Sequence, residues 1–187
     1  MPADFDAYEN EELNFKVYYP NTWLELDAEL FADSEYIKEM SEETGLSEEM
    51  MASSLQQVTV MFFDFANASE EFVPNLNIVR EASGGMTAQQ LTNILTITML
   101  KGQVEEQFTA TFNDFAWVVE PAAKKWGGHD VVFLATEYGM GAGKNTALQA
   151  MAVGGDALYT LTYSIGEGTD VASYEALFEQ IVSLLEI

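Results

Sequence analysis

The sequence predicts an α+β fold: a central, mostly antiparallel sheet of six or seven strands with helices on both of its faces. Apolar and polar residues alternate at period two in several short segments, as half-buried strands require. Turn residues place those segments at hairpin spacing, and the helical patterns stand apart from them, which favours an antiparallel sheet over alternating βαβ units. The segment 57–65 carries apolar residues on both faces, so it needs cover on both sides.

Leu13, Phe15, Val17 and Tyr19 alternate with Asn14, Lys16 and Tyr18, predicting a strand that Pro20 ends because proline has no N–H for the ladder. Trp23 follows in a short turn or strand. Over 27–55 the pattern turns helical and acidic. Leu30, Phe31, Ile37 and Met40 form one stripe, Gly45 stops that helix, and Ser47 caps a second one holding Met50, Met51 and Leu55. The 57–65 strand is expected at the sheet centre. Pro74 precedes a strand over 75–81. Thr87 caps a helix expected to run to Phe108, with Leu91, Ile94, Leu95 and Thr98 at helical spacing. A strand over 115–119 is expected to close at Pro121. Gly127-Gly128 turns into a strand over 129–138, and strands over 145–153 and 157–164 flank the hairpin signal Gly154-Gly155-Asp156. Asp170 caps a final helix in which Tyr174, Leu177, Phe178, Ile181 and Leu185 share one face.

The 187 residues suit one domain, with 1–12 expected as a poorly ordered acidic lead-in, 13–187 as the domain and 27–55 as an acidic helical insert. The chain has 31 acidic residues against 7 basic ones, a net charge of -24. That balance repels nucleic-acid phosphates and anionic membrane surfaces, leaving basic protein patches and divalent cations as charged partners. With no cysteine, disulfides, thiol catalysis and Cys-type metal sites are excluded. No run reaches the roughly 18–20 apolar residues of a membrane span, and the start, Met1-Pro2-Ala3-Asp4-Phe5-Asp6, is acidic where a secretory leader is basic.

The chemical motifs are weak. Gly139-Met140-Gly141-Ala142-Gly143-Lys144-Asn145-Thr146 departs from the phosphate-loop pattern, since Tyr138 stands where the first glycine belongs and Asn145 follows the lysine. His129 is the only histidine, too few for a histidine-rich metal site, and no Gly-x-Ser-x-Gly elbow accompanies it, so a structural or surface role is expected. Asp4-x-Asp6 opens like a calcium loop but lacks its central glycine and closing glutamate. Glu42-Glu43, Glu48-Glu49, Glu70-Glu71 and Glu105-Glu106 read as solvated acids. Trp117, Trp126, Tyr138 and Tyr159 are expected in the core, and Met40, Met50 and Met51 either anchor the insert or line an adaptable groove.

One constellation is more specific. Phe15-x-Val17-x-Tyr19-Pro20-x-x-Trp23 comes first, then Asn75-Leu76-Asn77-Ile78-Val79 and the Thr87-capped helix. Last come Ala157-Leu158-Tyr159-Thr160-Leu161-Thr162-Tyr163 and the helix through Phe178, Ile181 and Leu184. This order resembles the PsbP-like superfamily, which includes the extrinsic subunit P of photosystem II, the Ran-GTPase release factor and DcrB-like bacterial proteins. The resemblance implies an α/β/α sandwich and a role in binding other proteins; it transfers no catalytic residue.

The expected function is therefore a non-enzymatic protein-binding module, probing an unknown protein partner through Glu42, Glu43, Glu48, Glu49, Met50 and Met51. A divalent-cation-responsive, calcium-type regulatory domain is the alternative, and a hydrolase the last. No cofactor, nucleic acid or transmembrane segment is expected. The chain is expected as a monomer or weak dimer. Its expected location is extracytoplasmic in a bacterium, with a leader outside this sequence, or else the cytoplasm.

Overall fold

The computed structural model describes residues 2–26, 38, 57–69, 72–140, 143–167 and 169–187. Among them are β1 (Phe5–Asn10), β2 (Phe15–Pro20), β3 (Leu24–Leu26), β4 (Val58–Phe63), β5 (Asn75–Ala82), α1 (Ala88–Leu91), α2 (Ile94–Thr111), β6 (Asn113–Trp126), β7 (His129–Met140), β8 (Gly143–Gly154), β9 (Ala157–Gly166) and α3 (Val171–Ser183). Seven strands form one antiparallel sheet in the order β3-β4-β5-β9-β8-β7-β6, and β1 and β2 form a separate hairpin. The expected sheet is present, with helices on both faces.

One face is an aromatic and aliphatic core under the β1–β2 hairpin and α3. Tyr159, Leu161, Tyr163 and Ile165 of β9 join Phe133 of β7, Phe62 of β4 and Phe178 of α3 there. Phe15 stacks on Tyr159 at 5.2 Å, and Tyr19 stacks on Phe62 at 4.3 Å. Such ring pairs add about 0.5–1.5 kcal/mol each beyond the area they bury. The opposite face is thinner: Leu91 of α1 and Ile97 of α2 pack on Val132, Met151 and Leu158. Every residue from Val131 to Thr136 is fully buried, so β7 is the strand that both layers cover.

Four expectations are corrected. Residues 5–10, expected in a poorly ordered lead-in, form β1, held by six-residue pairing to β2, with Phe5 buried in the core. The doubly apolar segment is β4, which lies next to the three-residue edge strand β3 and not at the centre. Pro121 does not end its strand. β6 runs through it because β6 is an edge strand with register shifts around Val119 and Ala122, where a missing N–H breaks no ladder. The helix from Thr87 is two helices. Thr87 and Gln90 form a reciprocal capping box on a single turn, and Asn93 then caps α2 by accepting from the Leu95 N–H at 2.9 Å. The helical insert expected over 27–55 lies outside the described residues apart from Lys38.

The Gly127-Gly128 turn carries a steric requirement. Gly127 has φ of 57°, and a Cβ there would sit 2.2 Å from the Ser183 carbonyl oxygen, so the β6–β7 turn packs backbone to backbone against the end of α3.

Burial pushes several phenols upward. The Tyr163 hydroxyl is buried, and desolvation, then the negative charges of Asp64 and of a nearby ionised Tyr174, move its pKa far above the ordinary value; Tyr19 and Tyr138 move the same way, chiefly by desolvation. The folded chain keeps these protons above pH 10.0, where the unfolded chain releases them, so the unfolded state binds fewer protons and stability falls as pH rises. Thermal unfolding is expected to show a falling midpoint as pH passes 10.0, with a shallower fall in Tyr163→Phe; a midpoint flat through that range contradicts this.

Candidate functional site

Six of the seven basic residues are committed to ion pairs: Lys16–Glu9, Arg80–Asp156, Lys101–Glu120, Lys124–Glu175, Lys125–Asp130 and Lys144–Glu137. The acidic excess is therefore left without intramolecular cations. Against that background the segment 82–104 contains no acidic residue, between Glu81 and Glu105.

That acid-free segment, whose one charged residue is Lys101, holds α1 and the first half of α2. Ile97 and Val104, seven residues apart, are buried, and Ile97 packs on Val132 of the sheet. Ile94, Leu95 and Met99 point the other way and are 71%, 72% and 67% exposed. Burying such a side chain is worth about 1.5–3 kcal/mol, so the fold forgoes a substantial gain at all three. The sequence pattern grouped Ile94 and Leu95 with Leu91 and Thr98 at the spacing of one continuous helix. The missed signal was Asn93, a strong capping residue that restarts the helix and rotates those positions outward.

The second half of α2 borders a groove of about 550 Å³ lined by Gly102, Glu105, Glu106, Thr109, Phe115, Ala116 and Trp117. Its wall is fixed by aromatic packing. Phe108 meets Tyr138 edge-on at 5.2 Å, Phe112 meets Tyr138 at 4.5 Å, and Phe115 meets Trp117 edge-on at 5.3 Å. Trp117 Nε1 donates to Glu105 Oε1 at 2.6 Å, and Lys101 reaches Glu120 at 2.7 Å, tying α2 to β6. Trp117, expected in the core, is only half-buried at this groove, whereas Trp126, Tyr138 and Tyr159 are buried as expected.

A second cleft, of about 480 Å³, lies between the β1–β2 turn and the C-terminal segment, lined by Glu9, Glu11, Lys16, His129 and Glu186 among others. The His129 Nε2 and the Leu185 carbonyl oxygen are 3.0 Å apart, which makes Nε2 the donor. Lys16 and Glu186 exchange two backbone hydrogen bonds beside it, each of 3.0 Å. Among the described residues the lining contains no Ser or Thr. The imidazole therefore fastens the chain after α3 to the turn before β7.

The partner residues expected from sequence, Glu42, Glu43, Glu48, Glu49, Met50 and Met51, lie outside the described residues. The glycine-rich segment joins two antiparallel strands, with Met140 paired to Gly143, and no helix follows it to hold phosphate. Among the described residues no group of three or more His, Asp or Glu side chains is arranged to hold a metal ion, and Asp6 stands in β1 opposite Tyr19.

Replacing His129 with Ala is expected to cost about 1 kcal/mol in urea unfolding, because a part-buried carbonyl loses its donor, with His129→Gln recovering part of it. An unchanged midpoint for His129→Ala contradicts the assignment.

A family model described as PsbP matches residues 3–187. The fold is similar to the solution structure of cyanobacterial PsbP (CyanoP) from Synechocystis sp. PCC 6803, at 16% identity and a TM-score of 0.61, covering 100% of this chain and 94% of that one. It is also similar to LpqN of Mycobacterium tuberculosis, described as involved in cell envelope biogenesis, at 11% identity and a TM-score of 0.54, covering 91% and 81%. A third likeness is PA94 from Pseudomonas aeruginosa, described as of unknown function, at 13% identity and a TM-score of 0.51, covering 97% and 96%. No curated protein matches the sequence.

Proposed function

The chain belongs to the PsbP family, and from that premise we propose that it is a non-enzymatic protein-binding module whose partner seats on the outer face of α2. The observation that carries this reading is the exposure of Ile94, Leu95 and Met99 on a helix whose other face is already packed. Soluble surfaces scatter single apolar residues freely; three contiguous ones beside an aromatic-lined groove mark an interaction site.

The acidic residues Glu42, Glu43, Glu48, Glu49 and the methionines Met50 and Met51 belong to the same proposal as a second part of the interaction surface, offering charge to a basic partner. The reading locates the protein outside the cytoplasm of a bacterium. The bacterial sources of the similar structures support this, as does the cell-envelope role described for LpqN. No helix among the described residues is long and apolar enough to cross a membrane.

A docking face and a core face respond oppositely to charge. Leu95→Asp with Met99→Asp is expected to leave unfolding stability within about 0.5 kcal/mol of the parent, as surface changes do. A photoreactive residue at position 95 or 99 is expected to cross-link one protein in the source organism, and the same residue at exposed Asp156 none. Cross-links of equal yield from all three positions, or a double variant that unfolds, would refute the assignment.

A further inference from the structure

We propose that the outer face of α2 receives an amphipathic cationic segment of a partner protein, with its apolar residues on Ile94, Leu95 and Met99 and its Lys or Arg side chains in the groove at Glu105, Glu106 and Trp117. This deepens the docking reading above and rests on it. The two halves form one surface. Ile94, Thr98, Gly102, Glu105 and Thr109 follow one another at helical spacing, and Leu95, Met99 and Glu106 run alongside. The stripe spans about 22 Å at the rise of an α-helix, the length of a partner helix of about 15 residues. Gly102 lies at its middle with nothing within 4 Å of a would-be Cβ, so a partner can approach the backbone there.

Charge complementarity selects the occupant. The apolar half lies in the acid-free segment, so it exerts no local preference for cations. The groove half is different. Glu105 is held by the Trp117 indole at 2.6 Å through one carboxylate oxygen, and Glu106 is exposed. The rings of Phe115 and Trp117 meet edge-on beside these carboxylates, and aromatic faces attract ammonium and guanidinium groups. Lys101, one turn before Glu105, is engaged by Glu120, and among the described residues no Lys or Arg lines the groove, so the groove is left to a cation from outside. The net charge of -24 steers such a segment in, and it opposes a second copy of the chain as occupant.

The test uses the full chain and a labelled synthetic amphipathic peptide of Leu and Lys, about 15 residues long, at about 0.15 M salt. Controls are a scrambled peptide and one with Glu in place of Lys. Glu105→Gln with Glu106→Gln is expected to weaken binding about tenfold, and Leu95→Ala with Met99→Ala by a similar factor. Glu11→Gln with Glu12→Gln, an equal change in net charge, is expected to alter it less than about twofold. Trp117 is the half-buried indole, so the tryptophan emission shift on binding is expected to vanish in Trp117→Phe. Equal weakening by both charge-neutralised pairs, or equal binding of the scrambled peptide, overturns the proposal. So does binding to phosphatidylcholine vesicles that needs Leu95 and Met99 but not Glu105 and Glu106, or a dimer in sedimentation that Leu95→Ala with Met99→Ala abolishes. Cross-links from positions 95 and 99 without peptide binding leave the docking reading standing and remove this one. Peptide binding without a cross-linked partner removes both, because the proposed segment belongs to a docked protein.

Discussion

Strand β7 must be covered on both faces. From Val131 to Thr136 it exposes nothing to solvent, and a strand apolar on both sides is stable only between two layers. The two layers are unequal. On one side the β1–β2 hairpin and α3 bring rings into contact with Phe133, Tyr159 and Tyr163. On the other, a single helical turn and one face of α2 suffice, through Leu91 and Ile97. A cover this thin needs only one stripe of its helix, so the opposite stripe is free to vary. In this chain that stripe is apolar in one half and acidic beside Trp117 in the other.

Strands were legible in the sequence wherever one face alternates cleanly, as in β2, β5 and β9, because period two survives any tertiary arrangement. Hairpin turns were legible where φ is positive, as at Gly127, Gly128 and Gly155, since only glycine adopts that backbone cheaply. Position in the sheet was not. Pro121 reads as a strand stop unless its strand is known to be an edge, and the apolar β4 reads as central although it neighbours the short β3. The lead-in was misread because β1 fully buries only Phe5, with Tyr8 half-buried against the core; much of its order comes from pairing with β2, which composition does not record. The exposed apolar stripe was missed for a geometric reason. One residue, Asn93, separates two helical phases, and averaging across it puts Ile94 and Leu95 on the wrong side.

The charge acquires a different meaning once its partners are known. In the sequence it is a global excess, weighted toward the first fifty residues. In the structure the few cations strap neighbouring elements together, as Lys101 does between α2 and β6 and Lys144 does within the β7–β8 hairpin. Each exposed pair contributes little to stability, about 0–1 kcal/mol. Their larger effect is to leave the remaining carboxylates uncompensated, which keeps copies of the chain apart and favours cationic surfaces. An apolar stripe can stay exposed on such a molecule without driving self-association, because two copies approaching through it repel.

The proposed docking surface requires α2 to be a peripheral cover with its outer stripe outside the core. Native-state amide hydrogen exchange, resolved by segment, reads this directly. The amides of β7, β8 and β9 should exchange only through global unfolding, while those of α1 and α2 exchange through a smaller opening at lower free energy. Equal protection of α2 and β7 would mean that α2 opens only with the whole fold and is not a peripheral cover.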